Sequence, residues 1–389
     1  MSAPPFAFGS GAGVPARATG VIVIDLARLA ANWRALATLA APAECAAVVK
    51  ADGYGLGVAQ VIPALSAAGC RTYFVATAGE AEQARQLDSN ALIYVLDGVL
   101  DAALLRATGA RPVLADTADI DEWLASGRKH GSGLAAGLQI DTGLNRRGIG
   151  LGELREIATD ASRLGGLELT LVMSHLACAD DPDSAMNDRQ RIAFDEGRAL
   201  LPPARANMRS SLAASDGLML GKAYHYDMVR PGYALYGGQA FRGGRAPVEP
   251  VVSAYARILQ VCDVPAGQTV GYSATWRTLG PRRIATIAAG YADGIFRHAS
   301  GTDSHPGGYV AILGHRCPIV GRVSMDLVTV DVTDAPDVEA SPSSPGGWAE
   351  LIGPSITIED AGACAGTIGY DVLTRLSHRF HRVYVGGVP

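Results

Sequence analysis

Residues 45 to 68, CAAVVKADGYGLGVAQVIPALSAA, decide the fold class. An apolar run, Cys45-Ala-Ala-Val-Val-Lys50, ends on a cation. A turn with glycine at 53, 55 and 57 follows, and the stretch near Val58–Ala68 then repeats its apolar residues at helical spacing. This is one strand–loop–helix unit, and it recurs. Thr72–Ala76, Leu92–Leu96, Pro112–Ala115, Ala136–Ile140, Leu167–Met173 and Ala223–Met228 read as strands. Helical stretches around Ala78–Leu87, Ala118–Ser126, Glu153–Leu164 and Asp188–Leu201 lie between them. Upstream, Val21–Ile24 is a further strand candidate, and Asp25 caps the helical LARLAANWRALA. Strands spaced by crossover helices run parallel. About eight such units over roughly 220 residues predict a (βα)8 TIM-type barrel, although a doubly wound sheet shows a similar alternation.

From about Val251 the pattern changes. SAYARILQVCDV, RRIATIAAG, GYVAILG, HRCPIVGRVSM and LVTVDVT follow one another with Gly and Pro between them and no helix. The class is therefore α/β, with a barrel followed by a β-rich C-terminal domain. Short helices near Ile356–Ala365 and Asp371–Leu376 close the chain, and Ala340–Gly347 reads as a surface loop. The expected organisation is a flexible lead-in over 1–16, the barrel over 17–248 and the β-rich domain over 249–389.

Composition narrows the function. An apolar content of 48% in 389 residues allows a sizeable core, and a net charge of -5 without basic runs disfavours nucleic acid. The six cysteines lie far apart with no metal-ligand spacing, so they read as buried thiols of a reducing compartment. No secretory signal and no bilayer-length apolar stretch is present, and the expected address is the cytoplasm. Gly9–Gly13 and Gly148–Gly152 lack the strand and the acidic residue of a dinucleotide fingerprint.

The reactive side chains stand at strand ends. Lys50 ends CAAVVK, His175 ends LTLVMSH and Arg230 ends HYDMVRPG. A parallel barrel gathers such ends on one face, where these folds keep their sites. A lysine at the end of a buried strand is costly unless it is paired or converted to an imine, although alone it reads equally as one that snorkels to solvent. Tyr54 offers a hydroxyl, and Ser215 with Gly217 forms a small turn able to hold an anion. Arg230, Gly232 and Tyr233 add a fixed cation and exposed backbone. Together they outline a site for a phosphorylated aromatic cofactor.

VVKADGYGLG, DTGLNRRGIG, MSHLA and VRPGYALYGG resemble, in order, the barrel motifs of alanine racemases. VGYSATW, AAGYADG, GRVSMD and GTIGYDVL continue the resemblance through the second domain, so that the similarity as a whole runs from roughly Val21 to Val385. The resemblance implies pyridoxal 5'-phosphate on Lys50 as an aldimine and a two-base interconversion of L- and D-alanine, supplying D-alanine for peptidoglycan. It assigns the phosphate to Tyr54, Ser215, Tyr370 and the backbone of Gly232 and Tyr233. It places His175 against the cofactor ring and Arg230 at the pyridine nitrogen. There a guanidinium, which has no acceptor, disfavours protonation and so weakens the electron sink. Lys50 and Tyr272 become the opposing bases, and Arg146 the ligand of the substrate carboxylate. Tyr272, Met325 and Asp326 would reach the site from the partner subunit of a head-to-tail homodimer.

Four positions depart from the family pattern. Gln139 stands where many members carry a carbamylated lysine, and its amide is expected to accept a hydrogen bond from Arg146. Asp52 replaces an Asn, Leu56 a His and Ala214 an Asn. Two other functions share the architecture: a cofactor-dependent decarboxylase, which would offer Glu to the pyridine nitrogen, and a single-barrel cofactor-binding protein, which would lack the second domain. Within racemases, serine competes with alanine, and Tyr370 beside the substrate side chain favours alanine.

Overall fold

In the computed structural model the described residues are 14, 15, 17–130, 134–201, 208–335, 337–340 and 347–387. The Gly9–Gly13 run lies outside them, as do nearly all of the expected lead-in and most of the expected loop at 340–347. The described residues form two compact units. One is Ala27–Glu249; the other joins the residues up to Leu26 to Pro250–Gly387.

Among the described residues the first strand is β1 (Gly20–Asp25). In the Ala27–Glu249 unit there follow β2 (Glu44–Cys45), β3 (Ala47–Val48), β4 (Thr72–Val75), β5 (Leu92–Val95), β6 (Arg111–Leu114) and β7 (Ala135–Asp141). Then come β8 (Ile149–Gly150), β9 (Glu168–Met173), β10 (Arg209–Ser211) and β11 (Met228–Val229). Among the described residues, seven strands form one parallel arc in the order β3, β4, β5, β6, β7, β9, β10. β11 pairs in parallel with β2. Val48 N donates to Pro231 O (2.9 Å) and Arg230 N to Ala213 O (2.9 Å), which joins the β11 segment to both ends of the arc. The barrel class read from the alternation holds.

The strands are near-continuous apolar runs because both faces are covered. Phe74, Ile93, Val113, Leu138 and Leu171 are fully buried. The helix Val58–Ala68 buries Val58, Val61, Ile62 and Leu65, the spacing of one helical face. Some elements escaped the sequence pattern, among them β10 and the helix Ala102–Thr108. β10 is Arg-Ser-Ser, tied to the β11 segment 17 residues on, with Ser211 Oγ donating to Met228 O at 2.6 Å. The helix Ala102–Thr108 is too short to show a period. The strand expected over Ala223–Met228 is a 3-10 turn at Lys222–Tyr224 and then β11, because Tyr226 takes a left-handed φ of 52°.

β1 does not belong to the barrel, where the run of units placed it. It pairs antiparallel with the strand Val252–Val264 and parallel with His381–Val385. An apolar run buried on both faces fits either sheet, and here Val21 and Val23 pack on Tyr255 and Trp348. With these three strands, Arg282–Ile287, Tyr309–Ile312, His315–Pro318, Val328–Asp331 and Trp348–Ile352 complete an eight-stranded sheet, mostly antiparallel as its short connections require. The helices Ile358–Cys364 and Gly369–Thr374 stand where expected. Five of the cysteines are buried or half-buried, but Cys262 is exposed on the outer half of Val252–Val264, which corrects the reading of all six as buried. Among the described residues, no helix is long and apolar enough to cross a membrane.

Candidate active site

Lys50 stands two residues past the end of β3, at the start of an unusual turn. Ala51, Asp52, Gly53 and Tyr54 all take left-handed φ angles of 53°, 54°, 63° and 57°. Each L-residue there costs about 1–2 kcal/mol, so the three that are not glycine need compensation. Ala51 N donates to Glu80 Oε1 at 2.7 Å, and Gly53 N to Val49 O at 2.9 Å. Asp52 Oδ1 accepts from Val58 N at 2.8 Å, closing the turn onto the next helix. An acceptor oxygen is all that bond requires, so aspartate serves there as asparagine would. Tyr54 packs on Tyr236 with ring centroids 4.8 Å apart.

The surroundings of Lys50 are cationic. Burial and the nearby Arg146 lower its proton affinity below that of a free lysine, against a smaller opposing pull from Asp97 and Glu80. His175, after β9, is held down to about 3 by burial, Arg230, Arg146 and Lys50, so its imidazole is neutral at physiological pH. Gln190, fully buried, donates from Nε2 to His175 O (3.0 Å) and accepts from Ala177 N (2.8 Å), which fixes the loop carrying the ring. Arg230 is buried, donating to Ser211 Oγ and, at 2.6 Å, to Ser174 O. Its guanidinium lies 5.8 Å from the Phe74 ring centroid. Burial draws its pKa down to about 9, which leaves it charged at neutral pH.

Beside it is a cradle for an anion. Gly232 N and Ala234 N both donate to Ser215 Oγ, at 3.0 and 3.1 Å. Tyr233, between the two, is buried. A Cβ on residue 232 would lie 2.2 Å from Tyr54 Oη, so only glycine lets the phenol approach. Burial pushes the Tyr54 phenol up, which keeps its proton available for donation.

Arg146 is exposed on the loop after β7, which Asp141 Oδ1 shapes by accepting from Gly143 N (2.8 Å) and Asn145 N (3.1 Å). Gln139, buried in β7, donates from Nε2 to the Arg147 carbonyl at 2.7 Å. Its amide N–H therefore holds the backbone of residue 147, a bond that leaves the Oε1 acceptor uncommitted.

Within the other unit, Tyr272 begins a 3-10 turn, Tyr272–Ala274, and is 69% exposed. Met325 is also exposed. The loop carrying Met325 and Asp326 is bound to AAGYADG: Tyr291 N donates to Ser324 O and Ala292 N to Met325 O, both at 3.0 Å. Arg379 bridges Asp326 (2.8 Å) and the buried Asp293 (3.2 Å). Tyr370 sits in the helix Gly369–Thr374, half-buried. An exposed tyrosine on a rigid turn is a group presented outward.

Residues 24–240 match the alanine racemase N-terminal domain and residues 251–384 the alanine racemase C-terminal domain. The chain belongs to the alanine racemase family. An alanine racemase of Methylobacterium nodulans is 48% identical over 368 residues, 94% of this chain and 96% of that one. One of Rhizobium meliloti is 42% identical over 378 residues, 95% of this chain and 98% of the relative. Among solved structures, the alanine racemase of Bartonella henselae with covalently bound pyridoxal phosphate superposes with a TM-score of 0.88 at 37% identity, covering 95% of this chain and all of that one.

Against this alanine racemase family, the barrel unit brings Lys50, Tyr54, Arg146, His175, Ser215, Arg230, Gly232 and Tyr233 onto the loops and strand ends of one fold unit; Tyr272, Met325, Asp326 and Tyr370 belong to the other. Sequence reading missed Glu80, Asp97, Gln190, Ser174 and Ser211. Glu80 had a legible signal, the capping box Thr77-x-x-Glu80. The others are ordinary polar residues whose roles are tertiary.

Proposed function

We propose that the chain interconverts L-alanine and D-alanine, with pyridoxal 5'-phosphate held on Lys50. The observation that carries this is the placement of a half-buried lysine in the same unit as a two-amide anion cradle and a buried arginine. The donors fit the group: two backbone N–H groups and two hydroxyls suit a phosphate, a neutral imidazole suits an aromatic ring, and Arg230 suits a nitrogen that accepts. When bound, the cofactor supplies the electron sink for loss of the substrate's α-proton. The protein's own groups do the rest. Arg146 holds the carboxylate. The Lys50 amine takes or returns the proton on the D side and the Tyr272 phenol does so on the L side. His175 and Arg230 orient and tune without exchanging protons at neutral pH.

The same reading makes the active unit a homodimer in which Tyr272, Met325 and Asp326 serve the partner's barrel, in the cytoplasm, feeding D-alanine to peptidoglycan. It takes Ala27–Glu249 as the cofactor-binding unit and the unit containing Pro250–Gly387 as the one contributing Tyr272. Tyr370 narrows the pocket toward alanine. One small group changes binding by only about 1–3 kcal/mol, so slow serine turnover accompanies alanine. Chiral chromatography of L-alanine incubated with the holoenzyme tests the proposal: approach to equal enantiomers supports it, and unchanged L-alanine refutes it.

Two expected results follow from the site. Gly232→Ala introduces a Cβ 2.2 Å from Tyr54 Oη and displaces the phenol from the cradle. At about 1–3 kcal/mol of overpacking, cofactor affinity falls roughly 10- to 100-fold, measured by equilibrium dialysis. Arg146→Leu removes a cation that holds the Lys50 pKa down. The Lys50 amine then keeps its proton to higher pH, and the acid limb of the rate from D-alanine moves upward in a rate–pH profile. An unmoved limb would place Arg146 outside the electrostatics of Lys50.

A further inference from the structure

Arg147 is the neighbour of the arginine assigned to the substrate carboxylate, and it is bound far more tightly. Its Nη2 pairs with Asp119 Oδ2 at 2.8 Å, and the Asp119 side chain is 9% exposed. Asp119 lies in the first turn of the helix Thr117–His130. Two backbone donors bind it as well: Oδ1 accepts from Val99 N (3.1 Å) and Oδ2 from Ala115 N (3.0 Å). The pair is built to close contact. Gly98 has a left-handed φ of 75°, and a Cβ there would lie 2.4 Å from Arg147 Nη2 and from both Asp119 oxygens. On the opposite side of the same residue, Gln139 Nε2 holds the Arg147 carbonyl at 2.7 Å. Residue 147 is thus fixed at both its backbone and its guanidinium, and three loops, after β5, β6 and β7, meet at one buried carboxylate.

We propose that Asp119, acting through Arg147 and together with Gln139, is the positioning residue that sets Arg146 for the substrate's carboxylate. The proposal rests on the assignment of Arg146 given above. Gln139 is neutral and its N–H is committed to the Arg147 carbonyl, so it supplies Arg146 with no charge. The neighbouring ion pair supplies rigidity instead, leaving the Arg146 side chain exposed and free to meet an anion. A buried carboxylate satisfied by two N–H donors and one guanidinium has a single arrangement, whereas an exposed loop arginine alone has many.

The test uses the cofactor-loaded enzyme and propanoate, which has the carboxylate and carbon chain of alanine without its amine. Binding is measured by isothermal titration, in parallel with KM and kcat for alanine. Asp119→Asn and Arg147→Leu should each weaken propanoate and raise KM about tenfold while kcat stays within about threefold, and Arg147→Lys should recover most of the affinity. Arg146→Leu should weaken propanoate about 100-fold. If Asp119→Asn is unstable, Arg147→Leu carries the test, because Asp119 retains its two backbone donors. Folded variants that bind propanoate within about twofold of the parent, while Arg146→Leu does not, overturn the positioning role and spare the carboxylate assignment. A fall in kcat with KM unchanged also overturns it. Unaltered propanoate binding by Arg146→Leu overturns the assignment and the proposal together.

Discussion

Lys50→Ala is expected to lower kcat/KM for alanine by about 10⁴-fold or more, in both directions, with the fold intact. Two roles end at once: the cofactor loses its anchoring amine and the D side loses its base. The fold survives because the turn after β3 is held by backbone and by neighbours. Its bonds run from Ala51 N to Glu80, Gly53 N to Val49 O and Val58 N to Asp52, and none passes through the Lys50 ammonium. Removing a half-buried cation set among Arg146 and the buried surface also relieves repulsion. Circular dichroism should therefore match the parent while the visible absorbance of the lysine-bound cofactor disappears. Retention of more than a few per cent of the racemase rate would remove Lys50 from the chemistry.

Tyr272→Phe should produce the second largest loss, and an asymmetric one. Deprotonation of L-alanine should fall about 10²- to 10⁴-fold, the range for loss of a general base, whereas deuterium uptake into D-alanine from heavy water should persist. The side chain is 69% exposed on its own unit, so deleting the hydroxyl costs less than about 0.5 kcal/mol of stability. Equal loss from both enantiomers would mean that Tyr272 binds or orients and does not act as one of two bases.

Much of the fold was legible because a buried parallel strand is written as a compact apolar run. CAAVVK, LIYV and LTLVM each show it. β10 was not legible, since Arg209-Ser210-Ser211 has no apolar run and earns its burial through hydrogen bonds to residues far along the chain. β1 was legible as a strand and not as to its sheet: which edge accepts an all-apolar strand depends on Tyr255 and Trp348, more than 200 residues away in sequence. At the site, reactive residues at strand ends could be found from sequence because the fold class itself gathers them. The Asp119–Arg147 pair could not, because 28 residues separate the partners and nothing local distinguishes that aspartate from others in the same helix.

The most direct measurement is proton NMR of L-alanine, and separately D-alanine, with the cofactor-loaded enzyme in heavy water. Racemisation through opposing bases predicts that the α-proton signal of each enantiomer disappears as the other enantiomer forms. An α-proton signal that persists from both, with the cofactor bound to Lys50, would contradict the account.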